Sequence, residues 1–259
     1  MTIVDDFRAL HVPGQPLLMP NPWDIGSARL LASLGFRALA TTSAGFAGTL
    51  GRADGAVTRE EALTHAADLV SAVDVPMSAD LENCFADDVT GVAVTATGAA
   101  AAGLAGFSIE DWSGSEIYDI GLAADRVAAA ASSGLVLTAR AENYLHGKPD
   151  LDDTIRRLQA FQEAGADVLY APGLSNVDDV RAVVSSVDLP VNVLVWPGLP
   201  TVAGLADAGV ARISVGGAFA LAAVGAVTRA ARELLDDGTY DFLALAVEGR
   251  RQTAVAYQR

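Results

Sequence analysis

The stretch Gly106-Phe107-Ser108-Ile109-Glu110-Asp111 opens as a β-rich run, Ala123–Ala131 follows as a helix of small apolar residues, and Val136-Leu137-Thr138-Ala139-Arg140-Ala141-Glu142 opens a second β-rich run. Two strands joined through a helix must lie parallel, because a crossover of that length returns the chain to the same edge of the sheet. The pattern extends in both directions. Strand-like runs occupy Leu17–Met19, Ala38–Thr42, Met77–Leu81, Gly106–Ile109, Val136–Ala139, Val168–Tyr170, Val191–Val195 and Ile213–Val215. Helical stretches fall between and after them at Ile25–Leu34, Arg59–Ala72, Val89–Ala102, Ala123–Ala131, Asp152–Glu163, Val177–Ser186, Val202–Ala208 and Phe219–Leu235. Thr58 followed by Glu61 spells a capping box, and Gly35 and Gly165 stand where a glycine ends a helix. Eight β/α units favour a closed α/β fold, a (β/α)8 TIM barrel, over an open sheet. The whole chain, residues 1–259, reads as a single barrel domain. A ninth amphipathic stretch, Tyr240–Tyr257, is an additional C-terminal helix expected to cross the barrel floor or rest on a neighbouring subunit.

Composition narrows the function. The chain has 259 residues, 51% hydrophobic and 19% charged, yet no uninterrupted apolar run long enough to span a bilayer. Its first residues, with Asp5 and Asp6, lack the basic and apolar regions of a secretory signal, so a cytoplasmic location is expected. One cysteine, Cys84, forms neither an internal disulfide nor a thiolate cage. A net charge of -15, from 17 Lys+Arg against 32 Asp+Glu, argues against nucleic acid and anionic membranes as partners. Lys148 is the only lysine, which leaves Schiff-base chemistry almost no place.

Reacting groups in such barrels lie past the C-terminal ends of the strands. Strand three runs out in Asp80-Leu81-Glu82, strand four in Glu110-Asp111 and strand five in Arg140-Ala141-Glu142. Alternate residues of a strand share a face, so Asp80 and Glu82 are expected to point together, with Glu110 joining from the next strand. One such acid alone reads as a helix cap or a solvated residue, the reading given to Asp87, Asp88 and Asp111. Three converging acids repel one another and raise their pKa values, which a hard cation relieves; magnesium, keeping several waters, suits the set. The planar fork of Arg140 suits a substrate carboxylate, its alternative being a salt bridge to Glu142 or Glu110. After strand two, the N–H groups and the Ser43 hydroxyl of Thr41-Thr42-Ser43-Ala44-Gly45 can take the other end of an anion. His11, His65 and His146 read as ordinary surface residues. Gly216-Gly217 can open a phosphate site, but with no GxGxxG or Walker pattern no nucleotide cofactor is indicated.

Pro20-Asn21-Pro22-Trp23-Asp24 with Ser27-Ala28-Arg29, then Thr42-Ser43-Ala44-Gly45, Asp80-Leu81-Glu82, Ile109-Glu110-Asp111, Ala139-Arg140-Ala141-Glu142 and Ala164-Gly165-Ala166-Asp167, taken in order, resemble the isocitrate lyase and phosphoenolpyruvate mutase superfamily. The resemblance runs from about Leu17 to Ala222. It implies a (β/α)8 barrel that binds Mg2+, with Mn2+ as a substitute, and an α-oxo-carboxylate. It also implies a homo-oligomer, dimer or tetramer, exchanging its last barrel helix. By position, Asp80 resembles the direct metal ligand, with Glu82, Glu110 and Asp54 acting through water. Ser43, Ala44 and Gly45 resemble the oxyanion-binding turn, Arg140 the anion-binding arginine and Asn192 a site-lining asparagine. The lyases of the family carry Lys-Lys-Cys-Gly-His after strand four, and its mutases a lysine-bearing loop. This chain has Asp111-Trp112-Ser113-Gly114-Ser115-Glu116-Ile117-Tyr118 there. The expected activity is a magnesium-dependent carbon–carbon lyase or decarboxylase on a small 2-oxo or 2-hydroxy di-acid, through an enolate. Glu142, Tyr118 and Tyr144 are the candidate bases. Carbon–phosphorus chemistry on a phosphonopyruvate-like substrate and a catalytically silent, di-acid-binding barrel are the alternatives.

Overall fold

The eight apolar runs pair as strands because each is flanked on both faces, by the barrel interior and by an outer helix, so nearly every residue in them is buried. A computed structural model describes residues 2–258. The strands are β1 (Leu17–Met19), β2 (Leu39–Ala40), β3 (Met77–Asp80), β4 (Gly106–Glu110), β5 (Val136–Arg140), β6 (Val168–Tyr170), β7 (Val191–Leu194) and β8 (Arg212–Ser214). They form one parallel sheet in the order β1-β8-β7-β6-β5-β4-β3-β2. The Ala40 N–H donates to the Pro20 carbonyl at 3.2 Å across the seam between the first and last strands of that order. The result is a nearly closed (β/α)8 barrel.

The helices are α1 (Ile3–Ala9), α2 (Ile25–Ser33), α3 (Ser43–Thr49), α4 (Arg59–Ala72), α5 (Val89–Ala101), α6 (Ile120–Ala131), α7 (Leu151–Glu163), α8 (Val177–Ser185), α9 (Val202–Asp207), α10 (Ala218–Arg232) and α11 (Leu243–Ala256). Thr58 and Glu61 form the expected reciprocal cap on α4. Gly35 and Gly165 follow α2 and α7 with φ of 93° and 99°, the left-handed conformation that ends a helix cheaply only at glycine. No described helix is long and apolar enough to cross a membrane.

Three features depart from the sequence reading. The second strand stops at Ala40, because Thr42 caps a short helix, α3, by accepting from the Gly45 N–H. The barrel floor is closed by α1 rather than by the C-terminal helix: fully buried Phe7 packs with Ala105, Val136 and Val168. The fit is tight, since a Cβ on Gly106 would lie 2.8 Å from the Phe7 ring and 2.5 Å from the Val136 carbonyl oxygen. Helix α11 instead packs on α2, where the Tyr257 hydroxyl reaches Gly26. Helix α10 has no buried residue; Leu221, Val224 and Val227 on it are 61–69% exposed.

Candidate active site

The strand register brings the acids and the arginine together. Glu110 on β4 lies beside Arg140 on β5, and Asp80 on β3 beside Ser108 on β4. Arg140 Nη1 lies 3.0 Å from Asp80 Oδ1 and 3.0 Å from Glu110 Oε1, while Nε donates to Glu142 Oε1 at 2.6 Å. The salt-bridge reading of Arg140 therefore holds toward both acids named for it, with Asp80 as a third. Asp80 is further fixed by the Ser43 hydroxyl at 3.0 Å and the Ser43 N–H at 3.3 Å, both donating to Oδ2. The Thr41 hydroxyl oxygen accepts from the Asp80 N–H at 2.9 Å. Asn21 ties the rim together, donating to the Thr41 carbonyl and accepting from the Val215 and Gly216 N–H groups.

Two connected spaces lie over this cluster. The inner one, about 190 Å³, is lined among others by Ser43, Ala44, Asp54, Asp80, Glu110, Arg140 and Asn192. The outer one, about 590 Å³, shares Ser43, Asp54, Glu110 and Arg140 with it and adds Glu82, Trp112, Glu142 and His146. Trp112, from the loop after β4, stacks on His146, from the loop after β5, at 3.6 Å and 9°. His146 Nε2 stands 4.0 Å from Glu142 Oε2.

The electrostatics follow from crowding acids in a partly dry space. Burial, with the charges of Asp80 and Asp54 added, pushes the Glu82 carboxyl up to about 7, against the opposing pull of Arg140. Burial also raises Glu110 well above the usual carboxylate range; Arg140 opposes the shift and Glu142, Asp80 and Glu82 add to it. Glu142 is raised by burial too. Burial alone would depress Arg140, but Glu110, Glu142 and Asp80 more than offset it and hold the guanidinium charged.

Not every predicted residue arrives as expected. Glu82 does not reach the site by strand alternation, because β3 ends at Asp80 and Glu82 sits in a left-handed turn at φ 50°, followed by Cys84 at 59° and Phe85 at 54°. Such conformations in non-glycine residues cost about 1–3 kcal/mol each and concentrate at functional sites. Gly45 faces the groove between α3 and α10, not the inner space. Tyr118 is outside both spaces, its hydroxyl donating to Asp87 at 2.6 Å. Asp111 is neither a cap nor solvated: it is 2% exposed, accepts from the Glu142 N–H at 2.8 Å and pairs with Arg157 at 3.1 Å. His11 and His65 are buried rather than on the surface. The sequence reading passed over Tyr170, whose ring lies under Arg140, and Arg212, which lines the inner space. The signal for Arg212 is a charged residue at the edge of an apolar run, one position before the expected strand Ile213–Val215.

Among the described residues no three acids or imidazoles close around one point as a preformed metal cage. The chemistry of the donors, Asp80, Glu82, Glu110 and Asp54, still suits a hard cation. All four offer oxygen, and burial with mutual repulsion already disfavours the charge on Glu82 and Glu110.

Comparison with known proteins bears on the same surface. The chain matches the family described as phosphoenolpyruvate phosphomutase over residues 7–235. Among solved structures it is similar to a Burkholderia cenocepacia protein provisionally described as a lyase/mutase, at 50% identity and TM-score 0.93, covering 97% of this chain and 94% of that one. It is also similar to a 2,3-dimethylmalate lyase of the PEP mutase/isocitrate lyase superfamily, at 26% identity and TM-score 0.82, covering 93% and 90%. An uncharacterized protein of Mycobacterium tuberculosis is 33% identical over 233 residues, 89% of each chain. With the barrel nearly closed and its strand ends carrying the acids and arginine expected there, the chain belongs to the phosphoenolpyruvate phosphomutase family and is an enzyme of the isocitrate lyase/phosphoenolpyruvate mutase superfamily.

Proposed function

We propose that the chain is a cytoplasmic Mg2+-dependent carbon–carbon lyase or decarboxylase acting on a small 2-oxo or 2-hydroxy di-acid. The observation that carries this reading is the cluster of Asp80, Glu110 and Glu142 about Arg140 at the mouth of the barrel. Asp80, with Glu82, Glu110 and Asp54, would hold a divalent cation there, which would supply Lewis acidity to a 2-oxo oxygen, an effect of several kcal/mol on a developing enolate. Arg140 and Ser43 receive the adjoining carboxylate. Once Asp80 and Glu110 are engaged elsewhere, Arg140 Nη1 is free for substrate while Nε still fixes Glu142. Asn192, buried on β7, lines the far wall.

In decarboxylation the carbon–carboxylate bond breaks, its electron pair passes toward the 2-oxo oxygen, and carbon dioxide leaves without needing a protein acid. Retro-aldol cleavage needs in addition a base for the hydroxyl proton. Glu142 is the residue best placed for it, with its carboxyl raised and His146 beside it. Tyr118, hydrogen-bonded to Asp87, is less well placed.

The exposed apolar side of α10, facing a groove lined by Trp23, Ala44 and Gly48, supports a homo-oligomer in which this helix packs on a second copy. Incubation with oxaloacetate, methylisocitrate and phosphonopyruvate, with and without EDTA, tests the activity. EDTA-sensitive turnover of a carbon–carbon substrate supports the reading. Turnover of phosphonopyruvate alone moves the enzyme to the carbon–phosphorus branch, and binding without turnover makes it a silent barrel.

A further inference from the structure

Two guanidiniums line the inner space, and they are partnered in opposite ways. Arg140 touches three carboxylates, whereas Arg212, 3% exposed on β8, touches none among the described residues. Its Nε donates to Asn192 Oδ1 at 2.9 Å, and Nη2 donates to Thr138 Oγ1 at 3.0 Å. Nη1 lies 3.2 Å from His11 Nε2. The His11 contact is readable by tautomer: Nδ1 lies 3.0 Å from the Phe7 carbonyl oxygen and must carry the proton to donate there, so Nε2 is left to accept from Arg212. Burial and the neighbouring Arg212 charge push His11 down to about 3, so it is a neutral acceptor and no counter-ion. Nor is Tyr170 an anion, since burial pushes its hydroxyl up to about 12.

A guanidinium has five N–H donors, of which three are used here, and each of those three goes to a neutral atom. Burial, with the nearby Arg140 charge, lowers Arg212 to about 9, the mark of a cation with no anion to compensate its lost hydration. A buried charge of this kind is costly unless something pairs with it, and no carboxylate among the described residues does. Its position is set by the ladder. Arg140, Tyr170, Asn192 and Arg212 are successive register partners across β5 to β8, and His11 belongs to the segment that closes the N-terminal end of the barrel. Arg212 therefore forms the floor of the space whose mouth is Arg140.

The geometry points to Arg212 as a second anion-binding site, which receives the distal carboxylate of a substrate whose 2-oxo or 2-hydroxy acid head sits at Asp80 and Arg140. This rests on the reading of the mouth as the site of the acid head and of the substrate as a di-acid, and it adds which residue takes the second carboxylate, with a mono-acid leaving the floor charge unpaired. A neutral tail is disfavoured by the same logic that makes an unpaired buried polar group expensive.

Malate and lactate share the 2-hydroxy acid head and differ in the distal carboxylate, so their dissociation constants, measured by calorimetry in Mg2+ buffer, read the floor alone. The wild type is expected to bind racemic malate about tenfold or more tightly than racemic lactate, as one charge-assisted hydrogen bond implies. Arg212→Gln is expected to remove that preference by weakening malate while leaving lactate unchanged. Equal affinities in the wild type, no malate binding at millimolar concentration, or an undiminished preference in Arg212→Gln overturns the assignment. Diffraction from malate-soaked wild-type crystals decides independently of how the variant folds: the distal carboxylate within hydrogen-bond distance of Arg212 supports the site, and its placement elsewhere overturns it. Loss of both acids in EDTA or in Asp80→Ala, with the malate preference intact otherwise, bears on the metal reading only.

Discussion

Replacing Arg140 by methionine keeps an unbranched stem of comparable length and removes the one cation among three acids. Its partners Asp80, Glu110 and Glu142 have side chains only 2–19% exposed, so they do not recover full hydration when the guanidinium goes. Breaking a buried charge network by deleting one partner costs about 3–5 kcal/mol, and the partial access of Asp80 and Glu110 places this case near about 3 kcal/mol. For a chain of this size each kcal/mol lowers Tm by about 2–4 °C, so a fall of about 6–12 °C is expected at pH 8. The sign with pH is fixed. Glu110 and Glu142 already have folded pKa values above their unfolded ones, and losing Arg140 raises them further. Their protonated forms stabilise the fold below the unfolded pKa, and that contribution is lost as pH rises through the folded values. The deficit of Arg140→Met against wild type is therefore smaller at pH 5.5 than at pH 8, and millimolar Mg2+ restores part of it. Thermal melts at the two pH values, with and without Mg2+, check this. A deficit below about 1 kcal/mol that is equal at both pH values would refute the view that Arg140 holds an otherwise repulsive acid cluster together.

Further outcomes follow from other parts of the structure. Mg2+ affinity should rise as pH passes upward through about 7, where Glu82 loses its proton, with proton release seen in calorimetry; affinity that is flat across that range removes Glu82 from the site. Fold stability should also rise with pH on the acid side. Burial holds His11 down to about 3 and His65 to about 4, so both must take up protons on unfolding, and stability falls as pH drops from 6.5 toward those values; His11→Gln should flatten that slope in urea titrations. Phe7→Ala should cost about 3–5 kcal/mol by opening a hole under the barrel. Val224→Asp on α10 should shift the assembly toward monomer in light scattering, whereas an unchanged mass would mean that the apolar side of α10 is not the contact.

The alternation of strand and helix was legible because buried parallel strands are apolar throughout and each helix carries its own punctuation, as at Thr58 and Gly165. What escaped lay where tertiary context outweighs local pattern. Helix α3, Ser-Ala-Gly-Phe-Ala-Gly-Thr, has two glycines and no apolar stripe, and only the Thr42 cap marks it. The N-terminal helix is short, and only the burial of Phe7 shows why it belongs to the barrel. In the site, strand ends located Asp80, Glu110 and Arg140 correctly in space. Glu82 came to the same rim by a left-handed turn that periodicity does not encode. Lone polar residues such as Asp111, His11 and Arg212 look alike in a sequence whether solvated or buried. Their partners, Arg157, Arg212 and Thr138, lie 46, 201 and 74 residues away in the chain, and only folding brings them together.

In the proposed function, side-chain oxygens from neighbouring strands share one hard ion with a keto-acid. Anomalous diffraction from crystals soaked with Mn2+ and oxalate, a planar dianion shaped like a pyruvate enolate, reads this arrangement atom by atom. One manganese peak bonded to Asp80 is expected, with oxalate between it and Arg140 and Ser43. A peak elsewhere, or none at saturating Mn2+, contradicts it.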